Sequence, residues 1–197
     1  TLRNAAQTDL NRRAAPGIRQ WAAKAVSTLL EALSNNDNVI RQQALHALQD
    51  VGPGVLQTRA VHKRLARLVA NDDPGVARAA SIVAGRFGAE TASRGVVAAL
   101  VHQLDNDVGC VRAEAAWAIS RLGQRAAQHG VQGALLDVLE RKDEDESVRR
   151  RAGAALAKTC RRNAETRVLN RLATLLRSQT TEVQYGVAEA LRHFGKR

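Results

Sequence analysis

The side chains here that could do chemistry are mostly cations. Arg59, Lys63 and Arg67 follow one another at intervals of four residues. On a helix that spacing puts all three on one face. A row of fixed positive charges attracts carboxylates or phosphates, so an acidic protein segment or a nucleic-acid backbone is the expected ligand. His102 occupies the position equivalent to Arg67 thirty-five residues further on. Ile82 and Trp117 are also thirty-five residues apart and read as a second candidate, an apolar patch for a protein partner or else packing between neighbouring helices.

Other chemistries find little support. His46, His62, His102, His129 and His193 form no short-spaced pair with another His, Cys or acidic ligand, so no metal is expected. Cys110 and Cys160 lack the paired spacing of a zinc site. They read as two free thiols, which favours a reducing, cytoplasmic compartment. No nucleotide-binding glycine motif or nucleophile signature is present, so neither cofactor nor catalysis is expected.

Charge and composition frame these candidates. The chain has 197 residues and a net charge of +11, and only five of its thirty cations are lysines. Either the arginines form a recognition surface or they lie on solvated helix faces. The 45% hydrophobic and 3% aromatic content leaves Ala, Leu and Val to build the core, which suits closely packed helices. No run approaches the ~20 apolar residues that a membrane helix needs. A chain that starts at Thr1 and contains no Met reads as a fragment of a longer protein.

The elements that must position these groups come from a repeat. Val111–Gly123 reads VRAEAAWAISRLG, with apolar or small residues at offsets 0, 4, 5, 7, 8 and 11 and a closing Gly. That is one face of a helix and its stop signal. The pattern recurs from Ile40, Val76, Val148 and Val183, at spacings of 36, 35, 37 and 35 residues. A second helix follows each of the first four. Its stripe begins at Val61, Val96, Val131 and Val168 and continues four and eight residues on. Two periodic series with one period predict an array of helix pairs. The units fall at about 1–36, 37–72, 73–107, 108–143, 144–178 and an incomplete 179–197. Residues 1–36 form a degenerate first unit, with helices over Leu2–Ala15 and Ile18–Leu33. Asp73-Pro74, Ser147 and Thr181-Glu182 are expected helix starts. The last unit lacks its second helix, which is expected to leave Val187, Leu191 and Phe194 without one neighbour and open to end-to-end self-association.

An acidic turn, then V-R, then an Ala-rich helix ending L-G, then a Val/Leu helix, resembles the HEAT repeat. The short form seen in bacterial HEAT-repeat proteins and bilin-lyase-like repeats is the nearest variety. The resemblance implies an all-α, right-handed solenoid of about five and a half antiparallel helix pairs. It also implies that second helices line the concave face and that the array serves as a non-enzymatic scaffold for a protein partner. On that geometry Lys63 and Arg67 face the groove, with Arg59 and Arg64 beside them. Arg78, Arg86, Arg121, Arg150, Arg151, Lys158 and Arg192 fall on the solvated convex side. Family members often pair the Arg after the opening Val with an adjacent acidic turn. Arg41, Arg112 and Arg149 match, whereas Ala77 and Gln184 do not, and Cys160 stands where the closing Gly is usual. Some DNA glycosylases share this architecture, but they cluster aromatics around an acid, and Asp137 has no such neighbours.

Overall fold

The computed structural model describes residues 16–51, 58–127, 130–160, 166–177 and 181–194. Ten α-helices and no strand are present among them. They are α1 (Pro16–Ala32), α2 (Asn38–Asp50), α3 (Arg59–Val69), α4 (Pro74–Phe87), α5 (Arg94–Gln103), α6 (Gly109–Leu122), α7 (Val131–Glu140), α8 (Glu146–Thr159), α9 (Thr166–Leu176) and α10 (Thr181–Phe194). The expected helix over 2–15 lies outside the described residues. Pro16 opens α1, where a missing N–H costs nothing.

The helices form two layers of a solenoid. The even-numbered helices carry the Ala-rich pattern and make one layer; the odd-numbered helices make the other. Leu30, Leu48, Leu65, Leu100, Ile119 and Leu135 are completely buried between them. The opening valines Val76, Val111, Val148 and Val183 are buried, but Ile40 in the first clear copy is 42% exposed.

Helix boundaries follow local chemistry. Asp37 Oδ1 accepts from the Val39 amide at 2.7 Å, and Asp73 Oδ1 accepts from Gly75 and Val76 at 2.7 and 3.1 Å. Thr58 and Ser93, which the sequence reading passed over, cap α3 and α5. Ser147 does not cap. Helix α8 has already begun at Glu146, with Asp145 at its boundary. Gly88 and Gly123 leave α4 and α6 at φ of 55° and 60°, a region a Cβ disfavours, and each opens a short 3-10 turn. Cys160 has no such freedom, and the chain leaves α8 in extended conformation at φ −70°.

The layers are not equally spaced. From α4 onward, successive even-numbered helices pack closely on one another, whereas α5 and α7 scarcely touch. The cause is side-chain size. Gly85 on α4 meets Ala118 on α6, Ala80, Ala84 and Ala115 are buried in the same layer, and small side chains allow short interaxial distances. A double layer bends toward its closely spaced side. From α4 onward the Ala-rich helices therefore line the inner side of the bend, the reverse of the arrangement that the HEAT resemblance implied, whereas α3 and α5 approach each other more closely than α2 and α4 do.

The C-terminal end also departs from expectation. Val187 is completely buried, because α10 packs along α8, and Leu191 is half-buried. The apolar exposure falls instead on Leu169, Leu176 and Tyr185, at 43%, 41% and 65%.

Candidate functional site

Helix α3 presents Arg59, Lys63 and Arg67 as one exposed row, because its opposite face is taken by the buried Val61, Leu65, Leu68 and Val69. The row borders a groove of about 1130 Å³ between α3 and α5. Ala60, Ala66, Ala70, Gly95 and Ala99 also line it. Side chains this small let α3 and α5 approach closely, so that a Cβ on Gly95 would touch Ala66, and leave a groove along their exposed edges. Arg94, at the start of α5, adds a fourth cation that sequence reasoning missed. Its signal was its place just after the capping Ser93, where the chain enters the helix beside α3. No carboxylate lines the groove, and none of the four cations has a side-chain partner among the described residues. His62 lines the same groove, and its Nε2 is buried without a partner.

The other expected members do not join this site. Arg64 is turned to α1, the neighbouring helix of its own layer, where it pairs with Glu31 at 2.8 Å. His102 is exposed on α5 but does not line the groove. Ile82 and Trp117 lie on the opposite layer, both half-buried against the core. The Trp117 ring sits over Gly85, where even a methyl group would come within 2.3 Å of Cζ3. Ile82 borders a small cavity of about 130 Å³ with Arg41 and Arg78. Trp21 is 72% exposed.

Towards the C-terminus the same layer loses its positive character through ion pairing. Arg171 on α9 bridges Asp137 at 2.9 Å and Glu140 at 2.6 Å. Hydrogen bonds to Glu140 and Asp137 hold the Arg171 guanidinium above its ordinary value, against the cost of burial. Asp137 is therefore an ion-pair partner, with no aromatic cluster around it.

A second ionic cluster joins the turns. Glu144 is fully buried, and Arg112 grips both its oxygens, at 2.8 and 2.6 Å. Arg112 also donates to the carbonyls of Asn106 and Asp107, and the Glu144 hydrogen bond is the chief reason its pKa lies above the usual value. Arg141 approaches Glu144 at 3.4 Å and pairs with Asp105. The expected ladder of arginines is thus partly realised. Arg112 reaches the next acidic turn, whereas Arg41 and Arg149 wrap the carbonyls of their own turns. These groups are occupied by the fold and are not available to a ligand. Among the described residues no cluster of His, Cys, Asp and Glu could hold a metal, neither Cys110 nor Cys160 is in a disulfide, and no helix is long and apolar enough to cross a membrane.

Comparison with known proteins agrees on the fold. No protein-family model matches the chain, and no curated protein sequence does either. Solved structures do. The chain is similar to an engineered protein at 21% identity and a TM-score of 0.64, covering 99% of this chain and 93% of that one. It is similar to a designed armadillo repeat protein in complex with the peptide (KR)4 at 19% identity and a TM-score of 0.64, covering 97% and 91%. It is also similar to the complex of CpcE and CpcF of phycocyanin lyase from Nostoc sp. PCC7120 at 17% identity and a TM-score of 0.60, covering 87% and 65%. The chain thus has the fold of a helical-repeat solenoid.

Proposed function

We propose that the chain is a non-enzymatic protein-interaction scaffold, a single repeat array over 1–197, whose groove between α3 and α5 takes an acidic segment of a protein partner. The observation that carries this is the set Arg59, Lys63, Arg67 and Arg94 around a groove with no carboxylate in its lining. Four cations without a side-chain partner among the described residues repel each other beside one open surface, and an anionic ligand relieves that repulsion. Small lining residues leave room for a peptide backbone, and the partner's acidic side chains reach the rims. Peptide binding by a designed solenoid of similar shape supports the class of partner. That protein takes a basic peptide, and the charge of this groove calls for the opposite sign.

Selection of displayed random peptides on the immobilised chain tests the reading. Asp- and Glu-rich sequences should be enriched, and Lys63→Glu with Arg67→Glu should abolish their capture. Lys142→Glu with Arg177→Glu changes net charge equally at exposed positions outside the groove and should leave capture intact. No acidic enrichment, or equal capture by the groove variant, overturns the proposal. A labelled single-stranded oligonucleotide that binds with a steep salt dependence, and is lost in the same groove variant, would replace the protein partner with nucleic acid.

A further inference from the structure

The opposite layer carries a second surface, made of cations that the sequence reading assigned to solvent together with the Ile82 and Trp117 patch. Ten residues after the opening valine, α4, α6 and α8 hold Arg86, Arg121 and Lys158, all exposed. Six residues after it stand Ile82, Trp117 and Ala154, all half-buried. Two residues after it α4 and α8 hold Arg78 and Arg150, again exposed.

Contacts between the helices fix how these rows line up. Gly88 faces the Arg121 carbonyl, so the ends of α4 and α6 are level. Lys158 Nζ donates to Ser120 Oγ at 3.3 Å, and Arg151 donates to the Ala113 carbonyl at 3.3 Å, so α6 and α8 are level too. Equivalent positions therefore stand side by side, and the rows run straight across the helices. The result is an apolar strip with cations along both margins.

The face is also short of anions. Glu114 is held by Arg151 at 2.9 Å, and Asp50 stands beyond the Arg86 end of its row. Arg78, Arg86, Arg121 and Arg150 have no side-chain partner among the described residues. Because this layer is on the inner side of the bend, long side chains from successive helices converge, which raises the local positive potential.

We infer that this inner track binds an extended acidic peptide that carries a carboxylate at every third residue. The argument is one of pitch. Packed helices are spaced about 8–10 Å apart, so Arg86, Arg121 and Lys158 recur at that interval. A polyproline-type chain repeats every three residues, in about 9 Å, so every third carboxylate meets the next cation in the row. A β-strand repeats in about 7 Å and falls out of step within two helices. Apolar residues at another position of the triplet then lie along Ile82, Trp117 and Ala154. A nucleic-acid strand fits less well, because the Trp117 ring is committed to Gly85 and is not a stacking platform. The surface is independent of the groove between α3 and α5 and shares no residue with it.

The test uses the full chain and two fluorescein-labelled synthetic peptides, read by anisotropy. One is a Glu-Pro-Leu triplet repeat; the other has the same composition with its glutamates in a single block. The triplet peptide should bind at least about tenfold more tightly, and Arg86→Glu with Arg121→Glu should weaken it by a further tenfold or more. Lys63→Glu with Arg67→Glu should change its affinity less than about twofold, so this result and the peptide selection above succeed or fail separately. Should the reversed pair fail to fold, Arg86→Gln with Arg121→Gln replaces it, with the same expected direction. Four results overturn the inference: no binding of the triplet peptide, equal binding of both peptides, equal weakening by both double reversals, or tighter binding of a labelled oligo-dT that Arg86→Glu with Arg121→Glu abolishes.

Discussion

Replacing Gly85 with alanine decides what Trp117 does. A Cβ at position 85 would lie 2.3 Å from Trp117 Cζ3, 2.6 Å from Cε3 and 3.0 Å from the Ala118 Cα. Ordinary carbon contacts are about 3.5–4.0 Å, so the indole must retreat by more than about 1 Å. It is half-buried and has somewhere to go. The Ala118 Cα is backbone and moves only if α4 and α6 separate. Overpacking of this kind costs about 1–3 kcal/mol, while alanine in place of glycine inside a helix returns about 1 kcal/mol. The expected net loss is about 0–2 kcal/mol, lowering the melting temperature by up to roughly 8 °C for a chain of this size. In a Trp117→Ala background the ring clash is gone. Gly85→Ala should then be neutral or stabilising by up to about 1 kcal/mol. The cycle should therefore show a coupling of about 1–2 kcal/mol. Urea unfolding of the four proteins measures it. An equal cost of Gly85→Ala in both backgrounds, or a gain in the wild type, would show that the indole does not rest on Gly85. Trp117 would then be free to serve a partner as its main role.

Two further outcomes follow from the ionic groups. Glu144→Ala leaves the Arg112 guanidinium, only 14% exposed, without its carboxylate, and should cost about 3–5 kcal/mol in chemical denaturation, with little dependence on salt; a loss below about 1 kcal/mol refutes the buried pairing. Burial raises the Glu90 carboxyl above its ordinary range, with Arg125 opposing the rise, and Glu90 Oε2 is buried without a partner among the described residues. A raised carboxyl pKa favours the folded state below the unfolded value and loses that contribution as pH rises through the folded value. Glu90→Gln should therefore raise the melting temperature at neutral pH, and the gain should vanish below about pH 4. A gain that persists or grows in acid contradicts this assignment.

The helices, their order and their period were legible because helical geometry is local. Apolar residues three and four apart, Asp73 before Pro74, and Gly88 and Gly123 at helix ends act within a turn or two of chain. Arg59, Lys63 and Arg67 were found for the same reason, since spacing on one helix settles which face they share. Arg94 was not, because it joins them across a groove between two helices. Val187 was misjudged because its cover comes from α8, and Arg171 takes Asp137 and Glu140 from 34 and 31 residues away. Glu144 likewise meets Arg112 across 32 residues. The largest difference concerns curvature. Which layer lies inside depends on how closely α4, α6, α8 and α10 approach one another, and that distance is set by pairs such as Gly85 against Ala118 on different repeats. No window of sequence contains both members of such a pair, and small differences in spacing accumulate over the whole stack. The repeat pattern thus names the faces of each helix, while packing between repeats decides which face looks inward, and with it where a row of exposed arginines becomes a surface that a partner can use.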